Sequence, residues 1–203
     1  MDRAQVAKVW VYYGLTDLYF AFDNDDVAFE ESARFAEIMG LEKFLKAVLL
    51  FYRSAEYESL RDAEARLKLN EIAKDMGHDF KRMLKEASKV GISDIDRIKA
   101  RDFDGYDGRD LVRAVVAGYM ETRYPVPNPV SNSFPIPGAQ GFTHDPLCSS
   151  GITKFIYAVC NACFFHLRTH IDFTKVGSDF SARFSHRESF VRFGNAFWEA
   201  RCL

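Results

Sequence analysis

Five histidines, four cysteines and two His-Asp doublets are the side chains whose types and spacing lend themselves to chemistry. His78-Asp79 follows Gly77, a place where an aspartate caps a helix and a histidine hydrogen-bonds a neighbouring carbonyl. The cap accounts for both residue types without catalysis. His144-Asp145 repeats the doublet within a proline-rich stretch. Cys160, Cys163, His166 and His170 form C-x2-C-x2-H-x3-H inside one predicted helix. They share a helix face about 120° wide, yet they climb about 15 Å, and one zinc with bonds of roughly 2 Å cannot take all four. His166 and His170 alone form a pair able to bind metal with help from elsewhere, while buried cysteines serve as small hydrophobes. The expectation is therefore no metal and no cofactor, with His166 and His170 as the alternative ligand pair. The cysteines also lie mid-helix, away from the helix start that favours redox chemistry.

Arg123-Tyr124 closes a predicted helix just before the prolines. Its guanidinium offers a planar fork for phosphate or carboxylate, and the ring can stack on a base. A cation also satisfies the last carbonyls of a helix, so a purely structural use competes with the binding use. Arg183, Arg187, Arg192 and Arg201 lie among tail aromatics, and residues 151–203 carry seven Lys plus Arg against four Asp plus Glu. Arginine with aromatic faces suits phosphates and stacked bases of single-stranded RNA. An amphipathic helix with Phe inward and Arg outward explains the same pattern. Asp23, Asp25, Asp26, Glu30 and Glu31 read as an acidic helix start, because Val27 stands where a calcium loop needs a ligand. No phosphate loop, dinucleotide fingerprint or nucleophile elbow occurs.

The elements that must position these groups follow from periodicity. All six prolines fall between Pro125 and Pro146, and each removes a donor and biases its predecessor away from helix. This long irregular loop divides the chain into residues 1–124, the loop 125–146, and a helical extension 147–203 expected to pack on the first part. Helices are predicted from about Val6 to Phe22, interrupted or ended near Gly14 or Phe22; from an Asp26 cap through Leu49 with a kink at Gly40; over 57–76; from Asp79 to Gly91; over 110–124; and from Ser149 or Ser150 to about Asp172, with Gly177 as the breaker. The tail carries enough aromatic area to dock as one more helix. No strand series emerges. The 203 residues with net charge −2 fit one globular unit with no global pull toward nucleic acid. The start lacks the pattern of a secretory signal, and the 13 residues between Lys154 and Arg168 fall short of the roughly 18 that cross a bilayer. A cytoplasmic location with no membrane contact is expected.

Three segments in order resemble the HEPN helical family: Glu42-Lys43-Phe44-Leu45-Lys46-Ala47-Val48-Leu49-Leu50, Gly77-His78-Asp79-Phe80 through Leu84, and Tyr119-Met120-Glu121-Thr122-Arg123-Tyr124-Pro125. The family pattern has a long helix ending in a Lys-Ala-Leu-Leu-like stretch, a His-Asp-Leu turn and an Arg-Tyr-Pro end. The resemblance covers about Lys8 to Pro125. It implies an all-α, HEPN-like antiparallel bundle, often a homodimer, with members that cleave RNA, act in toxin–antitoxin or defence systems, or bind nucleotide, RNA or a protein such as a nucleotidyltransferase. Catalytic members carry Arg, four to six residues, then His; none of His78, His144, His166, His170 or His186 has an Arg at that distance upstream. The expectation is a non-catalytic nucleotide-, RNA- or protein-binding module with no catalytic residue assigned. The candidate binding residues are Arg123, Tyr124, His144, His78 and Asp79. The competing class is a ribonuclease, or a metal-dependent hydrolase using His144, Asp145, His166 and His170.

Overall fold

The computed structural model describes residues 1–24, 30–123 and 146–200, with the side chains of residues 30, 31, 120–123 and 148 outside the description. The protein is all-α: α1 (Arg3–Asp23), α2 (Glu30–Tyr52), α3 (Asp62–Met76), α4 (Phe80–Lys89), α5 (Asp94–Lys99), α6 (Gly108–Arg123), α7 (Ser150–Arg168), α8 (Thr174–Phe184) and α9 (Ser189–Glu199). A two-stranded ribbon of β1 (Asp102–Phe103) and β2 (Tyr106–Asp107) precedes α6.

The antiparallel pair α1–α2 is the base of the bundle. Asp2 caps α1, accepting from the amides of Ala4 and Gln5 at 3.0 and 3.3 Å. Of the two ends expected for α1, Gly14 and Phe22, the helix runs through the first and stops next to the second, and α2 is continuous through Gly40. The two glycines face each other: a Cβ on Gly40 would stand 2.7 Å from Leu18 Cδ2, and one on Gly14 2.8 Å from Phe44 Cδ2. Their missing side chains let the two backbones approach, so these glycines serve packing.

α7 runs parallel to α2, since Thr153 Oγ1 donates to Glu37 Oε1 at 2.9 Å near one end and Tyr52 meets His166 near the other. Its residues from Gly151 to Leu167 are buried on nearly every side, as a helix apolar all round requires. The ribbon fixes its start, with Asp104 accepting from Lys154 Nζ at 2.6 Å. α7 ends at Arg168 rather than near Asp172. Gly177 lies inside α8 and breaks nothing. The tail is two helices, not one: Phe180, Phe193 and Phe197 are buried, and Tyr19 on α1 lies against the rings of Phe180, Phe184, Phe190 and Phe193. Arg183, Arg187 and Arg192 face water, with Arg187 donating to Asp23 at 2.5 Å. The amphipathic pattern of the tail thus accounts for these three arginines.

α3 starts at Asp62, later than the predicted 57, because a 3-10 turn, Ser54–Glu56, first closes α2. Gly77 ends it with φ of 57°, a backbone that favours glycine. α5 has no counterpart in the sequence reading, its six residues being too short for a periodic signal. The expected Asp26 cap, Tyr124, His144, Asp145 and the proline stretch to residue 145 lie outside the described residues. No described helix is long and apolar enough to cross a membrane.

Candidate functional site

The histidine of the first His-Asp doublet stands over a buried charge network. Glu42 and Lys46 are one turn apart on α2, inside a run where Leu41, Phe44, Leu45, Ala47 and Val48 are fully buried. Glu42 and Lys46 are only 4% and 5% exposed, and Lys46 Nζ donates to Glu42 Oε1 at 2.6 Å. The lysine also sits 5.9 Å from the Trp10 ring. Two ions this dry are tolerated only when paired and hydrogen-bonded.

The second oxygen of Glu42 takes His78: Nδ1 lies 2.7 Å from Oε2. A carboxylate only accepts, so Nδ1 carries the proton and donates, and Nε2 is left as the outward nitrogen. The His78 side chain is 43% exposed, and among the described residues Nε2 has no partner. Tyr119 from α6 lies flat against the imidazole, with ring centroids 4.2 Å apart and planes at 25°. Three elements therefore position this ring. α2 supplies the anchor, the Gly77 turn delivers the histidine, and α6 supplies the stacking face.

Asp79 does what the sequence suggests of a cap: its carboxylate accepts from the Arg82 amide at 2.9 Å, at the start of α4. That turns the aspartate toward the helix and leaves His78 alone at the surface of this network. Beside it, Asp17 on α1 pairs with Lys43. Burial pushes the Asp17 carboxyl above its ordinary range despite the hydrogen bond and charge of Lys43.

Arg123 ends α6 one turn beyond Tyr119, so the backbone brings that position to the His78 end of the helix. Its side chain, Tyr124 and His144 are outside the described residues.

The C-x2-C-x2-H-x3-H residues separate into two environments. Cys160 and Cys163 are fully buried, and burial drives both thiols up, Cys163 to about 12. They are core packing groups. His166 and His170 lie instead at the end of α7 against Tyr52, whose hydroxyl is 2.6 Å from His166 Nε2 and 3.4 Å from His170 Nε2. Among the described residues no three His, Cys, Asp or Glu side chains gather around one point.

No family model, curated protein or solved structure matches the chain. The chemistry therefore rests on the residues themselves. Glu42, Lys46 and Tyr52 escaped the sequence reading as functional groups. A signal for the first two was present: charges one turn apart inside an apolar helix that is buried on all sides must pair or be wasted. Nothing in sequence pairs Tyr52 with residues more than a hundred positions away.

Proposed function

We propose that the protein is a non-catalytic binding module of HEPN type that takes a nucleotide or the end of a single-stranded RNA at the His78–Tyr119 face. One observation carries this reading: a partly exposed imidazole anchored through Nδ1 by the buried carboxylate of Glu42 and held flat against Tyr119. Fixing the ring in advance removes the ordering cost that a free surface histidine would incur on binding. Nε2 then meets a phosphate oxygen as a donor when protonated, and the exposed part of the imidazole offers a base a contact surface. Arg123, one turn further along α6, supplies the guanidinium for a second phosphate contact. Assembly as a homodimer, and a protein partner such as a nucleotidyltransferase, belong to the same reading through the three HEPN-like segments.

The test compares wild type, His78→Ala and Arg123→Gln for the change in melting temperature on adding AMP, ATP or a short unstructured RNA. The expected outcome is a ligand-induced rise in wild type that His78→Ala abolishes and Arg123→Gln reduces, with both variants folded. No rise with any of these ligands, or an equal rise in His78→Ala, rejects the site.

A second reading has one observation in its favour. Glu42 orients His78 as a carboxylate orients a catalytic imidazole, leaving Nε2 as a base able to take the proton of a ribose 2′-hydroxyl. Incubation with labelled RNA separates the two: cleavage lost in both His78→Ala and Glu42→Gln would make the protein a ribonuclease.

A further inference from the structure

We propose that Tyr52, His166 and His170 form a binding site for a divalent transition-metal ion of the zinc, nickel or copper class. The site lies about 15 Å along α2 from Glu42, ten residues away at 1.5 Å each, and is independent of the His78 reading.

Convergence is the first argument. Both Nε2 atoms are aimed at the same phenolic oxygen, at 2.6 and 3.4 Å. Donor atoms bound at about 2 Å around a tetrahedral ion stand roughly 3.3 Å apart. The Tyr52–His170 separation already matches that value, and the Tyr52–His166 pair would open by about 0.7 Å to admit an ion.

Packing holds the ligands there. His170 stacks on Phe51, with centroids 5.7 Å apart and planes at 29°, and His166 leans on Tyr52 at 5.6 Å. Phe51 is itself buried and carries the Arg3 guanidinium 4.7 Å from its ring centroid.

The third argument is electrostatic. Because α2 and α7 run parallel, both end here, Tyr52 being the last residue of one and Arg168 of the other. Two helix C-termini gather partial negative charge, which favours a cation. The nearest cation on α2's exit, Arg53, is engaged by Glu56 at 2.6 Å and by Asp75 at 3.5 Å.

On binding, each imidazole donates its Nε2 lone pair and keeps its proton on Nδ1. The Tyr52 hydroxyl gives up its hydrogen bond, releases its proton to water and coordinates through oxygen, and water completes the shell. Two imidazoles and one phenolate, with no carboxylate, suit zinc, nickel or copper rather than magnesium or calcium.

The full chain, free of any affinity tag and stripped with a chelator, is titrated with Zn2+ and with Mg2+ by calorimetry, and its melting temperature is recorded. The expected result is one Zn2+ per chain, a higher melting temperature and no response to Mg2+. His166→Gln and His170→Gln should each weaken Zn2+ by about tenfold or more. With Cu2+, wild type should show a phenolate-to-copper absorption band that Tyr52→Phe lacks. Circular dichroism checks each variant's fold. His170→Gln, whose ring is exposed, carries the test if His166→Gln does not fold. No Zn2+ uptake by wild type overturns the proposal, as does unchanged binding in the double His166→Gln, His170→Gln variant, which would put the ion on His78, His144 or His186. A Tyr52→Phe protein that binds and absorbs as wild type overturns the three-donor site. Loss of zinc binding in these variants leaves the His78 reading standing, because His78→Ala and Arg123→Gln leave this cluster intact.

Discussion

Two imidazole clusters lean on residues of α2, and they differ in what lies beneath the ring. Under His78 is a carboxylate with almost no access to water, itself tied to a buried lysine. Under His170 is the ring of Phe51, and its hydrogen-bonding neighbour Tyr52 is 38% exposed. The first cluster is built into the core and reaches the surface only through one ring. The second is assembled at the bundle's end from groups that water already touches. A buried charge network has high stakes in both directions, because each member depends on the others to offset its desolvation. An exposed polar cluster adds little to stability and leaves its donor atoms open to a ligand.

That contrast is most exposed at Glu42. Glu42→Ala strands Lys46 in the core and should lower the unfolding free energy by about 3–5 kcal/mol, measured by urea titration. Replacing Glu42 and Lys46 together by Leu should recover most of this, since both desolvation costs vanish with the pair. In the other cluster Tyr52→Phe should cost under about 1 kcal/mol, the hydroxyl being able to exchange its partners for water. Equal losses at the two sites would erase the distinction.

A smaller effect is expected at the cap next to His78. Asp79→Ala should cost about 1 kcal/mol by freeing the first amides of α4, and it should leave zinc uptake at the far cluster unchanged. A change in zinc affinity would mean that the two clusters are coupled.

The smallest effect is a pH dependence at His166 in the second cluster. His166 has its folded value lowered from 6.5 by burial and by His170. The folded state therefore holds fewer protons on this ring than the unfolded chain just below pH 6.5, so stability from this group is complete above that pH and is lost as pH falls beneath it. Because the ring is partly open to water the slope is shallow, and it should flatten in His166→Gln when melting temperature is followed from pH 7.5 to 5.

Local patterns made the helices legible. Gly77 before Asp79 announced the end of α3 and the cap of α4, and the apolar stretch from Phe155 announced a core helix. Glycine was the least reliable sign: Gly14 and Gly177 offered themselves as breaks, yet each lies within a continuous helix. A glycine required for close approach of two helices looks the same in sequence as one required for a turn, because the partner that needs the space is absent from the local window.

The sequence by itself determined the all-α class, the positions of most helices and the nomination of His78, Asp79, His166 and His170, because periodicity, caps and residue chemistry are local properties. Tertiary structure alone decided which groups those residues meet. Glu42 lies 36 residues from the ring it anchors, and Tyr52 lies 114 and 118 residues from the two imidazoles it meets. Such pairings depend on how α2, α6 and α7 pack, and packing is set by the fit of whole helix faces rather than by any short stretch of chain.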